Sequence, residues 1–449
     1  MNTFLRRFLF EYGMVVILVL LCAFFSVVTW SEQPATSDAA ARQLGREIVA
    51  RFGKDARVLL AVQDQAKETA FLRALERQLV SLGVHPVESI SGEPKDARRV
   101  LQRQVAAGGK LDVVAGSDAA MSWLVFGEMG KDFPSLGSPH LVAARRYMWP
   151  NFLKSDNLRN IASQIAVIAI IAIGMTMVII VGGIDLSVGS LVAVSAVLAA
   201  LLIRDLAGGV TATPLAMIGC CTAAILTCAL VGMFSGSMVT WFGVPPFIAT
   251  LAIMSVGNGL AFKISKGESV GNLPDSFVWL GSGANFLGIP NSVVLMLFLY
   301  SAGHILMSRM KIGRYLYAVG GNREAARLSG VPVMPVLIFA YTVSGLLAGL
   351  GGVILASELK AGGPTYGQTY ELQVISAVVI GGTSLSGGEG KMFRTLIGAF
   401  IMGVIKNGMN LTNVEANTQK IVLGLVILAA VLLDQLKHRG WGRRVPSES

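Results

Sequence analysis

The sequence predicts an all-α polytopic membrane protein of about ten transmembrane helices, some of them broken, with a small extracytoplasmic α/β insertion after the first helix. Three observations predict it. The 449 residues are 53% hydrophobic and 14% charged, with a mean hydropathy of +0.63, too apolar for a soluble chain of this size. Apolar runs long enough to span a bilayer recur from residue 158 to 434. Residues 31–150 break that pattern, with dense charges and short apolar runs.

The first element is an uncharged run from Gly13 to Trp30 behind Arg6 and Arg7, long enough for one span. A cleaved signal peptide needs a small-x-small site close behind the run. None follows, and Leu21 before Cys22 does not fit a lipoprotein site. A retained helix over 1–30 with its N-terminus inside is expected. The insertion alternates: strand Arg57–Val62, helix Ala66–Leu82, strand Val84–Val87, helix Lys95–Ala107, strand Leu111–Ala115. Such alternation predicts a small α/β unit on a parallel sheet. Coming after the first span, it should lie outside the cytoplasm.

The core, 151–436, is expected to hold spans near 158–181, 187–203, 212–235, 245–262, 290–308, 332–356, 371–383, 394–410 and 418–434. With the first helix these make an even number, so both termini lie inside. The tail 437–449, with Lys437, Arg439, Arg443 and Arg444, agrees. Gly232-x-x-x-Gly236 and Gly345-x-x-x-Gly349 predict close helix packing and say nothing of a substrate.

Two glycine-rich breaks interrupt the spans. Val181–Ser190 reads V-G-G-I-D-L-S-V-G-S, and Ile380–Glu389 reads I-G-G-T-S-L-S-G-G-E. They share G-G-x-x-L-S-x-G, either a degenerate internal repeat or a coincidence of two glycine-rich turns. Broken helices are tolerated in a bilayer only where protein or a water-filled cavity covers the freed backbone, and in transporters they flank the pathway. The candidate pathway or hinge residues are therefore Gly182, Gly183, Asp185, Ser187, Gly189, Glu371, Gly381, Gly382 and Ser384. A carboxylate near membrane depth, such as Asp185, is costly and marks function. The competing and favoured reading makes it a cap for the following span. Glu371, at the start of another span, has the same two readings.

The loop Arg309–Val331 sets Arg309, Lys311, Arg314, Arg323 and Arg327 against the single acid Glu324. A short basic loop between spans belongs in the cytoplasm. Within it Glu324-Ala325-Ala326 opens a short helix that Gly330 and Pro332 end. A small-faced helix at a membrane surface suits docking to a cytosolic partner, although the positive-inside rule alone would give the same composition.

Several classes are disfavoured. The net charge of +10 lies in loops and chain ends, as membrane topology requires, and calls for no nucleic acid. Cys22, Cys220, Cys221 and Cys228 lie inside apolar runs and suggest neither disulfides nor metal ligands. His85, His140, His304 and His438 are scattered. With no phosphate-binding GxxxxGK[ST] loop, no H-E-x-x-H and no nucleophile–base pattern, the chain is not expected to be an enzyme or to hydrolyse ATP itself. An ion-coupled secondary transporter, with Asp185 and Glu371 as candidate ion ligands, and a membrane-anchored sensor reading a ligand with 31–150 are the rival classes.

Taken together, segments 174–190, 243–255, 313–331, 370–390 and 424–434 resemble, in order, the permeases of sugar-type ABC importers, the ribose/xylose/arabinose family. The loop also resembles the E-A-A-x-x-x-G pattern by which importer permeases contact their ATPases. The resemblance thus implies an ATPase-coupling loop of Gly313, Arg314, Gly321, Asn322, Glu324, Ala325, Ala326, Ser329 and Gly330. It implies a permease of the bacterial inner membrane carrying a sugar or related small polar solute. Its partners would be a cytosolic ATP-binding subunit, a second permease in a homodimer, an extracytoplasmic solute-binding protein and membrane lipid. No cofactor is implied in this chain, ATP and Mg²⁺ belonging to the partner. The insertion departs from the family, and its β-α-β-α-β order resembles half of one lobe of a periplasmic sugar-binding protein.

Overall fold

The structure, a computed structural model, describes residues 3–33, 35–145, 147–283 and 288–441, and at 3–12, 147 and 433–441 it describes backbone only. Arg443 and Arg444 of the expected basic tail lie outside the described residues. The chain divides into two units: Trp30–Asn151, and the chain up to Thr29 together with that from Phe152 onward. Helix α1 (Thr3–Val28) precedes the inserted unit.

The inserted unit runs β1 (Trp30–Gln33), α2 (Asp38–Phe52), β2 (Val58–Gln63), α3 (Ala66–Ser81), β3 (Glu88–Gly92), α4 (Pro94–Ala106) and β4 (Val113–Gly116). Three single turns follow, α5 (Asp118–Met121), α6 (Leu124–Gly127) and α7 (Met129–Asp132), then β5 (His140–Ala143) and β6 (Tyr147–Pro150). Strands β2 to β5 form a parallel sheet in the order β3-β2-β4-β5. Val58, Leu60 and Val62 pack with Ile48, Phe71 and Leu75 on one face, while Leu59 and Ala61 pack with Val100 and Leu101 on the other. Covered on both faces, β2 is a continuous apolar run rather than an alternating one. β1 and β6 pair antiparallel, with Trp30 opposite Pro150, so the two ends of the unit lie side by side.

Val84–Val87 is not the strand expected there. Pro86 has no N–H to give to a ladder, so pairing starts behind it, with Val87 N–H donating to Val58 O at 2.8 Å. The strand proper is Glu88–Gly92, and Val84 is a core residue. In open parallel sheets the crevice beyond the strand ends, where the order reverses, is where ligands sit. Here the buried Glu68 braces it, its Oε2 accepting from Gln63 N–H at 2.6 Å and Ser117 Oγ–H at 2.8 Å.

The other unit continues with α8 (Ser155–Ile180), α9 (Val188–Asp205), α10 (Pro214–Trp241), α11 (Pro246–Ser265), α12 (Asn291–Arg309), α13 (Lys311–Gly321), α14 (Arg323–Leu328) and α15 (Val333–Leu359). It ends with α16 (Tyr370–Ile380), α17 (Met392–Leu411) and α18 (Ala416–Trp441). Six of the described helices, α8 to α12 and α15, are long and apolar enough to cross a membrane. Gly13–Val28, Tyr370–Ile380 and Ala416–Leu432 are shorter apolar helices. At 11 residues α16 is about 16 Å long, half a bilayer core. Its span, expected over 371–383, starts on time and stops early.

Helix α8 is the axis of this unit, buried continuously from Ile165 to Val181. The closest helix pair is α10 against α15, where the two small-residue motifs meet. Cβ atoms at Gly232 and Gly345 would overlap the backbone carbonyls of Tyr341 and Cys228, and one at Gly236 would lie 2.9 Å from Ile338 Cα. The contacts descend one helix as they climb the other, so the pair is antiparallel, and its backbones touch because no side chain intervenes. Gly232→Val should therefore lower the melting temperature of detergent-purified protein by several degrees, by overpacking of about 1–3 kcal/mol. Gly219→Val, on the same helix with nothing within 4 Å, should leave it unchanged. Equal melting of the two variants would refute this packing.

Candidate functional site

The basic loop forms two helices. Leu316 and Val319 of α13 are buried against the long helices, while Lys311 and Arg314 face out. Gly313 permits the sharp entry, since a Cβ there would overlap the carbonyls of Leu306 and Met307. Asn322 then caps α14, its side chain accepting Ala325 N–H at 2.9 Å. From Gly321 to Gly330 every residue is exposed except Ala326. Gly330 closes α14 at φ +82°, with Gly330 N–H on Arg327 O and Val331 N–H on Ala326 O, both at 3.0 Å. That is the left-handed C-terminal cap expected of this glycine. Glu324 pairs with Arg327 one turn away at 2.8 Å, both side chains well exposed, an arrangement worth little that leaves both groups free to exchange partners. Leu328, 79% exposed, stands out beside Ser329.

The root of this projection is fixed by backbone contact. A Cβ at Gly320 would overlap the carbonyl oxygen of Ile180, the last residue of α8, and lie 2.6 Å from Gly388 N. Gly388 N–H donates to that same carbonyl at 2.8 Å, satisfying one of the free acceptors at the end of α8. Tyr317 Oη–H donates to Gly390 O at 2.7 Å. A Cβ at Gly387 would lie 2.9 Å from Gly320 O and 3.2 Å from Gly182 N. The basic loop and both glycine-rich breaks thus meet at one point. Reading the sequence missed Tyr317, Gly320, Gly387 and Gly388; the doublets Gly320-Gly321 and Gly387-Gly388 were the available signal.

The two breaks share a construction, but their registers differ. Gly182 at φ +77° and Gly382 at φ +84° close α8 and α16 alike. Gly182 N–H bonds Ile179 O and Gly183 N–H bonds Val178 O, while Gly382 N–H bonds Val379 O and Thr383 N–H bonds Val378 O. The side-chain turn that follows also recurs, with Ser187 N–H on Asp185 Oδ1 and Ser386 N–H on Ser384 Oγ. The sequence motif aligns Gly182-Gly183 with Gly381-Gly382. Yet the left-handed cap uses the first glycine of one pair and the second of the other. Gly381 is right-handed, and a Cβ on it would lie 2.6 Å from Arg394 O in α17.

Asp185 is fully buried and does not cap α9 directly. Its Oδ1 accepts Ser187 N–H at 3.0 Å and Ser187 Oγ–H at 2.6 Å, and its Oδ2 accepts Ser344 Oγ–H at 2.7 Å from α15. The carboxylate closes the turn before α9 and ties it to α15. Ser344 also abuts Gly174, where a Cβ would lie 2.6 Å from Ser344 Cα. Gly174 precedes Ile180 by six residues of α8, about 9 Å of helix, so the break folds back into the unit and α9 starts well inside it. Close by, Tyr341 Oη is buried without a hydrogen-bond partner among the described residues. Farther along, Gly189 adjoins Glu371, and a Cβ there would lie 2.5 Å from Gly367 O, so the first turns of α9 and α16 face each other. The expected site residues thus do not form one group: Gly182 lies with the loop at the surface junction, Gly183 against Tyr341, Gly381 against α17, Gly382 and Ser384 within their own break, and Asp185, Ser187, Gly189 and Glu371 deeper in.

Residues 157–431 match the family described as branched-chain amino acid transport system / permease component. The ribose import permease protein RbsC of Escherichia coli K12 is 42% identical over 302 residues, 66% of this chain and 91% of that protein. RbsC of Bacillus subtilis is 42% identical over 69% of this chain and 94% of its own length. The L-arabinose transport system permease protein AraH of E. coli K12 is 36% identical over 72% and 97%. No solved structure matches.

Asparagine can satisfy all three contacts at position 185, its Oδ1 accepting Ser187 N–H and Ser187 Oγ–H and its Nδ2 donating to Ser344 Oγ in place of the present reverse bond. Asp185→Asn should therefore assemble, carry most of the parental uptake and cost about 1 kcal/mol or less. Asp185→Ala strands both serines and should cost about 1–3 kcal/mol, read as loss of assembled protein on size-exclusion chromatography. A fully assembled but inactive Asn variant would show that the charge, rather than the turn, is needed.

Proposed function

The chain belongs to this permease family, and on that premise we propose that it is the membrane-spanning subunit of an ATP-binding-cassette importer. It moves a sugar or related small polar solute into the cytoplasm, while a cytosolic partner binds and hydrolyses ATP with Mg²⁺. The observation that carries this reading is the form of the basic loop: α14 stands free at the surface, while its root is seated on the carbonyl end of α8 and on both breaks. A partner that grips α14 differently in two states biases the helices that Gly320 touches.

In this proposal α1, α16, α17 and α18 join the six long helices to give ten spans in the bacterial inner membrane, with both termini and α13–α14 in the cytoplasm. The unit Trp30–Asn151 lies outside, where a solute-binding protein delivers its cargo, and two copies of the chain flank the pathway. The relatives named for ribose, allose and arabinose make these three sugars the first solutes to test.

Orientation is checked with single cysteines in a cysteine-free background. An impermeant thiol reagent added from outside should label Ser91→Cys and spare Asn322→Cys, and the opposite result would invert the topology. Coupling is checked in proteoliposomes with the ATPase partner. Gly330→Val meets a backbone that resists a side chain, and Gly320→Val meets the Ile180 carbonyl. Both should abolish sugar-stimulated ATP hydrolysis and uptake while the subunits still co-purify. Glu324→Lys should instead weaken co-purification. If all three variants co-purify and transport like the parent, the loop is only a basic turn.

A further inference from the structure

We propose that a cavity of about 360 Å³ between α8, α15, α16, α17 and α18 is a binding site for one neutral polyhydroxylated solute. The proposal rests on the transport reading above and gives it a place in the molecule. The volume falls at the small end of ligand pockets. Six polar residues from four helices line it: Gln164 of α8, Glu358 of α15, Tyr370 and Gln373 of α16, and Lys406 and Asn410 of α17. Apolar residues such as Ile165, Ile168 and Met402 form the rest of the wall.

Ionisable side chains within a helical membrane unit are rare and normally pair with each other. Glu358 and Lys406 line one cavity, yet neither side chain has a hydrogen-bond or ion-pair partner among the described residues, and Gln164 has none either. Groups of this kind are left ready for a ligand or for water. Their charges cancel, which disfavours an ion of either sign. What remains is a lining of mixed capacities: a carboxylate that only accepts, an ammonium that only donates, the Gln164 amide that does both, and the Gln373 and Asn410 amides, each partly engaged already, Gln373 donating to Thr369 Oγ1 and Asn410 Oδ1 accepting from Gln419. Vicinal hydroxyls, each donor and acceptor, match such a lining, and Tyr370 adds an aromatic residue to the wall.

The location fits a solute on its way through. Ile168, the deepest α8 residue of the wall, is 12 residues from Ile180, about 18 Å along the helix. The cavity therefore lies toward the end of the unit opposite the glycine junction. Tyr370 and Gln373 stand in the first turn of the half-length α16, next to Glu371 and its contact with Gly189.

The test is direct binding to the full chain in lipid nanodiscs, without nucleotide or ATPase partner. Tritiated D-ribose, D-allose and L-arabinose are the probes. At least one should bind saturably and be displaced by the unlabelled sugar, but not by sodium acetate or choline chloride. Glu358→Gln and Lys406→Met should each weaken binding at least tenfold while the protein remains monodisperse. Gln164→Leu, at an exposed position where folding is not at risk, should weaken it several-fold. Absence of saturable binding, unchanged binding in these variants, or displacement by the simple ions would overturn the proposal. Binding without ATP-dependent uptake would sink the importer reading and leave the site standing, and ATP-dependent uptake without binding would do the reverse.

Discussion

The Ile180 carbonyl oxygen holds this molecule's arrangement together. It ends the buried axis helix α8, and as a terminal acceptor it needs a partner from outside its own helix. Gly388 supplies one N–H, and Gly320 comes close enough to cover it because it has no side chain. Three segments far apart in the chain are thereby held largely by backbone atoms, with the Tyr317 hydroxyl on Gly390 O as a side-chain tie. Contact of this kind has little slack, since no rotamer can absorb a displacement. A shift of α13 must be shared by the end of α8 and by the turn between α16 and α17.

The interior follows the same logic. α15 touches α10 backbone to backbone through Gly232 and Gly345, and from the same stretch it presents Ser344 to Asp185. The cost of burying that carboxylate is offset by three hydrogen bonds, all from serines, with no basic group among the partners. The result is a break that is tightly folded rather than loose. Its peptide groups are used within the protein, with Gly182 N–H on Ile179 O, Gly183 N–H on Val178 O and Ile184 O accepting from Thr250.

Much of this could be read from the sequence, and the remainder was hidden for physical reasons. Long apolar periods place α11 at 246–265 against an expected 245–262, and α15 at 333–359 against 332–356. Gly330 could be read as a left-handed cap because a short polar helix followed by Gly and Pro has few other ways to end. Gly320 could not, because a glycine chosen for close approach looks like any other until its neighbour is known. The strand near residue 84 was misplaced because apolar content outweighed the missing donor of Pro86. Helix α2 escaped notice because Ala40, Ala41 and Gly45 dilute its apolar stripe, and β5 is a four-residue edge strand. The register slip between the breaks lies in φ angles that G-G doublets leave open. The lining of the cavity, scattered from Gln164 to Asn410, has no local pattern at all.

These features combine into one mechanical consequence. α8 carries Gln164 toward one end and Ile180 at the other, and the α16–α17 hairpin carries Tyr370 and Lys406 toward one end and Gly388 at its turn. Two of the elements that line the polar cavity, α8 and the α16–α17 hairpin, are thus elements that the loop touches at the opposite end. The helices between are packed backbone to backbone and cannot deform continuously, so a displacement at the turn moves them as bodies. If the proposed solute and partner bind at these two ends, binding at either shifts the state preferred at the other, with the same coupling free energy in both directions. On the proposed reading, a solute in the cavity and a partner on α14 would need no further machinery to sense each other.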